Sequence, residues 1–156
     1  MINYDVMATH HVNGLSKDDI ADLNYLLAQV SKGAEPLTRE SLGHILEYSL
    51  LVMAQAATEQ GTRIVGMGFS SPVRTASGLR MHLNDIVVAQ DHRGQGLARS
   101  IVTTLIEHAK RDGARSADLT SNPGRETANA LYRSIGFTLR ETNVYRFVIT
   151  NDESPA

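Results

Sequence analysis

An α+β fold is predicted for this chain by three features of its sequence. Apolar residues recur at helical spacing in four separate segments. Short runs rich in Val, Ile, Leu and Met, bounded by glycine or polar turns, alternate with them. Three of those runs follow one another in the middle of the chain, which predicts an antiparallel meander rather than a regular strand–helix–strand repeat.

Each element has its own signal. Residues 3–10 predict a first strand. In SKDDIADLNYLLAQV, Ser16 caps a helix whose apolar stripe is Ile20, Leu23, Leu26, Leu27 and Val30, with Lys17, Asp18, Asp19 and Asp22 as its solvated start. PLTRESLGHILEY offers Thr38 as N-cap, Glu40 and Ser41 in the first turn, and Leu42, Ile45 and Leu46 as a buried stripe. SLLVMAQAAT, a polar turn EQGTR, RIVGMGFSS and then RMHLNDIVVAQ supply the three successive strands, and Met53, Met67 and Met81 are expected in the core. A helix from about Gly94 to Asp112 stops at Gly113, SADLTS is a fifth strand, and RETANALYRSI is a helix stopped at Gly136. FTLRETNVYRFVIT closes the chain as one or two strands, with Tyr145, Phe147 and Ile149 on one face. The sum is a mixed, mostly antiparallel sheet of about 6–7 strands flanked by about four helices, one domain over residues 1–150, and a polar tail, NDESPA, over 151–156.

Composition narrows the function. Hydrophobic residues at 42% and charged residues at 21% suit a domain with a real core. A formal net charge of -2, without a basic run, gives little pull toward nucleic acid or an anionic membrane. No stretch approaches the ~20 apolar residues that span a bilayer. The start, MINYDVMATHH, lacks a basic region followed by an apolar run, and a cytoplasmic location is the expectation. His10 and His11 are adjacent and face opposite ways on a strand, so no shared metal is expected.

The stretch DHRGQGLARSIVTTLIEHAKRDG carries the first chemical signal. The first turn of a helix has amide hydrogens without intrahelical partners and the positive end of the macrodipole, which suits phosphate oxygens. Gly94 and Gly96 lack side chains, Ala98 is small, and Arg93 and Arg99 flank the turn. A bare pair of glycines is equally compatible with a simple strand-to-helix turn. A P-loop is excluded because Gly96 is followed by Leu97 and Ala98 instead of Lys and Ser or Thr. A dinucleotide fingerprint is excluded because Arg99 stands where its third glycine belongs and the preceding strands are antiparallel.

Arg93-x-x-Gly96-x-Ala98, opening an amphipathic helix after the strand NDIVV at residues 84–88, resembles the signature of the GNAT superfamily of acyl-CoA-dependent N-acetyltransferases. ANALYRSIGF at 128–137 resembles that family's later A-x-x-L-Y-x-x-x-G-F segment, and order and spacing agree over residues 82–137. The resemblance implies acetyl-CoA as cosubstrate, no metal, and an enzyme that acetylates a primary amine, either as a monomer or as a homodimer. It implies that Arg93, Gly94, Gln95, Gly96, Leu97, Ala98 and Arg99 hold the pyrophosphate, and that the backbone of Ile86, Val87 and Val88 holds the pantetheine arm. It further implies that Tyr132 protonates the departing thiolate. Its reference pKa near 10 keeps the phenol protonated at neutral pH.

Two departures from the family pattern bear on mechanism. Asn84 stands where a glutamate often accepts the amine proton, and an amide is no base. A water held by Asn84, His82 on the same strand face acting as base, and a purely structural role for these residues are the alternatives, while Asp85 points to the other face by alternation and is read as structural. Arg125 stands where many relatives carry an asparagine that contacts the cofactor. Arg125 reaches phosphate or substrate or is solvated, and Asn122 and Asn129 are the candidates for the polar cofactor contacts. The leading reading is a small-molecule amine as acceptor. A protein lysine or N-terminal amine, or a coenzyme A-binding module without turnover, are the alternatives.

Overall fold

A computed structural model of the chain describes residues 2–149. Strand β1 (Tyr4–Thr9) is followed by helices α1 (Lys17–Val30) and α2 (Arg39–Leu46). Strands β2 (Leu50–Thr58), β3 (Gly61–Thr75) and β4 (Gly78–Val88) form the meander. A 3-10 turn (Gln90–His92) leads to α3 (Leu97–Arg111), β5 (Ser116–Asp118) and α4 (Glu126–Ile135).

The helix starts follow their caps. Ser16 and Asp19 form a reciprocal capping box, Asp19 N donating to Ser16 Oγ at 3.1 Å and Ser16 N to Asp19 Oδ2 at 2.7 Å. Thr38 and Ser41 repeat the arrangement at α2. Gly136, at φ +118, ends α4 with its amide on the Tyr132 and Arg133 carbonyls.

The sheet runs β1-β2-β3-β4-β5, with four antiparallel neighbours in sequence and β5 parallel to β4. Between β4 and β5 the chain crosses over through α3, whose Ile101, Val102 and Leu105 are fully buried. The helix fits there because β3 carries Gly66 and Gly68 beneath it. A Cβ on Gly68 would meet Ile101 Cγ2 at 2.8 Å, and one on Gly66 would meet Ile101 Cδ1 at 3.0 Å. Met53, Met67 and Met81 lie in the core as expected. Among the described residues no helix is long and apolar enough to cross a membrane.

Asp22 departs from its reading as a solvated residue. It is buried in α1 and accepts hydrogen bonds from the backbone amide of Ile64 at 2.9 Å and from the Arg63 guanidinium, which clamps α1 to β3. Burying a carboxylate is costly unless it is paired and hydrogen-bonded, and here both conditions hold. Ile45, expected in the buried stripe of α2, is exposed instead.

The larger correction concerns the end of the chain. About 6–7 strands were expected, and among the described residues the sheet has five. Residues 138–149 form no strand, and Tyr145, Phe147 and Ile149 face solvent. Alternation makes a segment competent to be a strand, but a strand exists only when its backbone groups find a neighbouring edge. Residues 150–156, which include the polar tail, lie outside the described residues.

The fit of α3 over β3 is directly testable. Adding one methyl in Gly68→Ala overpacks the Ile101 contact, a change that costs roughly 1–3 kcal/mol. The melting temperature should fall by about 2–4 °C for each kcal/mol lost. An unchanged melting curve would mean that α3 does not sit as closely as described.

Candidate active site

The end of β4 and the start of α3 are joined by a loop that uses backbone more than side chains. Ala89 N donates to Val65 O at 2.8 Å, which carries the β3–β4 pairing to the last residue of the strand. The 3-10 turn follows, with His92 Nδ1 3.0 Å from the Tyr4 hydroxyl of β1. Arg93 Nε donates to Val88 O at 3.1 Å, folding the arginine back on the strand it leaves.

Gly94 and Gly96 are both at φ +76. No heavy atom lies within 4 Å of the position a Cβ would take on either. Their glycine character is therefore demanded by backbone conformation, and the space beside them is open. Gly96 is the N-cap of α3 and carries no side-chain cap. The first amide that turns back inside is Ser100 N, onto Gly96 O at 3.0 Å. The amides of Leu97, Ala98 and Arg99 are thus the orphan donors of the first turn, and no acidic side chain stands among them. Leu97 is buried and anchors the turn, and Arg99 donates to Ser134 Oγ at 2.7 Å, which ties the start of α3 to α4. A concentrated positive potential results at the mouth of α3.

Next to this loop, β4 has a free side. It pairs with β5 only through Arg80, Met81 and His82, opposite Ser116, Ala117 and Asp118. Beyond that point, Asn84 to Val88 keep β3 on one side and, among the described residues, no strand on the other. A bulge lies here as well. Met67 pairs with Val87 and Phe69 with Asn84, so Gly68 faces two residues, Asp85 and Ile86. Asp85 adopts φ +49, rare for a residue with a side chain, and the simple alternation expected for it does not hold at this position. Partial burial pushes the Asp85 carboxyl above the ordinary carboxylate range.

Asn84 and His82 share a face of β4, opposite Phe69 and Ser71 of β3. The Asn84 amide nitrogen donates to Ser71 Oγ at 3.2 Å and to the His82 carbonyl at 3.1 Å. Ser71 Oγ lies 2.9 Å from Ser49 Oγ, at the chain's exit from α2. Neither serine was a candidate from sequence, since only the β3–β4 register reveals Ser71 beside Asn84. With both amide hydrogens engaged, Asn84 Oδ1 is the group's remaining polar atom.

By helical spacing Tyr132 lies at the margin of an α4 stripe formed by Ala128, Leu131 and Ile135. In the folded chain it is the buried residue of that helix, 7% exposed, and the other three are half-buried. Its ring meets Phe137 edge-on with centroids 5.9 Å apart. Burial pushes the Tyr132 hydroxyl above its ordinary range, and the positive charge of Arg125 pulls the other way. Arg125 is the exposed N-cap residue of α4. Asn122 Oδ1 accepts from Gly124 N at 2.9 Å, and Asn129 Nδ2 donates to Asn122 O at 3.0 Å, so both asparagines brace the turn between β5 and α4.

A cavity of about 280 Å³ opens at the other end of α3, lined by His10, Ser70, Arg74, His108 and Asp112 among others. A larger one of about 390 Å³ lies beside it, lined by His10, His11, Asn13 and Glu47 among others, and neither Tyr132, Asn84 nor the glycine loop borders either cavity. Among the described residues no three His, Asp or Glu side chains gather as a metal would require.

Similarity to known proteins points the same way as the geometry. The family model of the acetyltransferase (GNAT) family matches residues 22–137. The chain is 28% identical over 122 residues to thialysine N-epsilon-acetyltransferase of Bos taurus, covering 76% of this chain and 72% of that protein. It is 33% identical over 81 residues to N-acetyltransferase 8 of Homo sapiens, covering 51% of this chain and 36% of that protein, so it spans little more than a third of that relative's length. The fold superposes with a TM-score of 0.71 on an aminoglycoside N-acetyltransferase solved in complex with CoA, at 14% identity, covering 95% of this chain and 96% of that one.

Proposed function

This chain belongs to the acetyltransferase (GNAT) family and is an acyltransferase, and we propose that it transfers an acetyl group from acetyl-CoA to the primary amine of a small molecule. The observation that carries the reading is the loop at the start of α3, where left-handed glycines with open space beside them present unpartnered amides. The names of relatives, thialysine for one and aminoglycosides for another, favour a small acceptor.

The residues fit the cofactor. Gly94, Gln95, Gly96, Leu97 and Ala98 would hold the pyrophosphate through their amides, with Arg93 and Arg99 adding charge beside them. The free side of Ile86, Val87 and Val88 would hold the pantetheine arm as a neighbouring strand is held. Asn122 and Asn129 would contact the cofactor through the polar atoms they do not use in bracing their turn. When bound, acetyl-CoA supplies an activated acetyl thioester.

The chain's own groups then have three tasks. An amide of the β4 edge, Ile86 to Val88, would donate to the thioester carbonyl oxygen and stabilise the charge that develops there. Tyr132 Oη would supply the proton that the departing thiolate needs when the amine displaces it. Its burial keeps that proton in place throughout neutral pH. Asn84, with its amide hydrogens committed to Ser71 and His82, keeps Oδ1 as the acceptor that would hold a water able to take the amine's proton to solvent. His82, on the same face, is the second candidate for that proton.

Because the chain has no cysteine, a thiol reagent reports free coenzyme A without background, and a panel of amines, peptides and aminoglycosides can be screened this way. Acetyl-CoA at ~100 times its dissociation constant should stabilise the protein by roughly 2.7 kcal/mol. Gly96→Val forces a β-branched residue into a left-handed position, at a cost of roughly 1–2 kcal/mol, and fills the open space. The variant should fold and show no acetyl-CoA shift; an unaltered shift would place the pyrophosphate elsewhere.

Tyr132→Phe keeps the ring against Phe137 and removes only the hydroxyl. With a substrate whose rate is limited by thiolate departure, kcat should fall by ~10²–10⁴ while acetyl-CoA binding changes little. A kcat near wild type would remove Tyr132 from the chemistry.

His82→Ala separates the two routes for the amine proton. If water on Asn84 carries it, the variant should keep its rate within a few fold and its pH profile should follow the amine's own pKa. Loss of a pH limb near neutrality in that variant would assign the base to His82.

A further inference from the structure

The face of β3 that lies beneath α3 does not end at its two glycines. Alternation carries it on to Ser70, Pro72 and Arg74, with Val52 opposite Gly68 and Leu50 opposite Ser70 on β2. At Gly66 and Gly68 the helix sits on bare backbone through Ile101 and Leu105. Past them side chains return, and the cavity of about 280 Å³ lies there, bordered by Ser70, Pro72 and Arg74 of β3 and by His108, Ala109 and Asp112 at the end of α3. Met81 and Leu79 of β4, paired with Pro72 and Arg74, give it an apolar wall.

Ser70 is out of place as a packing residue. It is 4% exposed, and its hydroxyl has no hydrogen-bond partner among the described residues. An unpaired buried hydroxyl is costly, and alanine would fill the same position without that cost. The charges around the opening are uncommitted too. Arg74 and Asp112 both border the cavity, yet among the described residues neither takes part in a salt bridge. Both are exposed, so opposite charges stand at the mouth and the orphan hydroxyl at the floor.

We propose that this cavity binds a small zwitterion, an α-amino acid whose side chain carries a hydroxyl or an amide, at a site separate from that of acetyl transfer. Arg74 offers a fork of donors to the carboxylate, and Asp112 accepts from the ammonium group. The side chain then points inward along Leu79 and Met81, and its polar end reaches Ser70 Oγ, which can both donate and accept. The volume agrees with this class, since small-molecule pockets run from roughly 300 to 1,000 Å³ and this one lies below that range, too small for a nucleotide. A helix rises about 1.5 Å per residue, so the 15 residues of α3 hold the cavity roughly 22 Å from the glycine loop. Ligand here therefore leaves the cofactor's place free. None of these residues takes part in the acetyl-transfer reading, and the two proposals stand or fall separately.

Calorimetric titration of the full chain with serine, threonine, asparagine and glutamine tests the site. At least one should bind saturably, one per chain, and equally well with acetyl-CoA present. The matching amino alcohol, which lacks the carboxylate, and the N-acetylated amino acid, which lacks the ammonium, should each bind at least about tenfold more weakly. Arg74→Ala and Asp112→Asn, both at exposed positions, should weaken the amino acid by a similar factor. Ser70→Ala should weaken it as well, while raising the melting temperature of the free protein by removing the unpaired hydroxyl. No saturable binding of any of the four at millimolar concentration would overturn the proposal. Binding that acetyl-CoA displaces, or that survives both Arg74→Ala and Asp112→Asn, would overturn it too, by placing the amino acid elsewhere.

Discussion

The close seating of α3 on β3 over Gly66 and Gly68 is the constraint on which the rest of the structure depends. A side chain at either glycine would crowd Ile101 and push α3 away from the sheet. The same Gly68 lies opposite Asp85 and Ile86, where β4 bulges and its pairing shifts. One residue without a side chain thus sets both the height of the helix that presents the glycine loop and the irregularity of the strand beside it. The distance between the mouth of α3 and the free edge of β4 follows from that shared point. This explains why a site made mostly of backbone can be well defined: the elements that carry the backbone are locked together by fully buried Ile101, Val102 and Leu105.

Charge is used sparingly and for position. Asp22 is a buried acid of α1, and it is satisfied by the Ile64 amide and by Arg63, whose guanidinium remains largely in water. Half in solvent, that pair avoids the full desolvation penalty of a buried ion pair while fixing where α1 crosses β3. The mouth of α3 is the opposite case. It gathers positive potential from orphan amides and keeps acids out of its first turn, leaving the positive charge without an internal partner.

Tyr132 is held by packing, and the burial that packing brings disfavours its phenolate. The edge-on contact with Phe137 holds the ring, and Gly136 turns the chain back so that the contact can form. The hydroxyl is therefore positioned by the residues that terminate α4, five residues or fewer along the chain.

Local signals were legible in the sequence because they depend on near neighbours. The caps at Ser16 and Thr38, the stops at Gly113 and Gly136, the three-strand meander and the glycine-rich entrance to α3 are short-range effects of backbone geometry. The family resemblance rests on the same local order. What required tertiary structure was everything set by register and burial. Asp22 looked like one more solvated acid near the start of α1 until Arg63 and the Ile64 amide came to it from β3. Ser71 and Ser49 joined Asn84 only through the pairing of β3 with β4, and the bulge at Asp85 broke an alternation that the sequence implied. Tyr132 was on the margin of a helical stripe by spacing, yet packing made it that helix's buried residue. The end of the chain shows the limit most plainly. Alternation at Tyr145, Phe147 and Ile149 determines that the segment can be a strand, but a strand is completed by hydrogen bonds to another edge, and no residue within the segment encodes which edge that is.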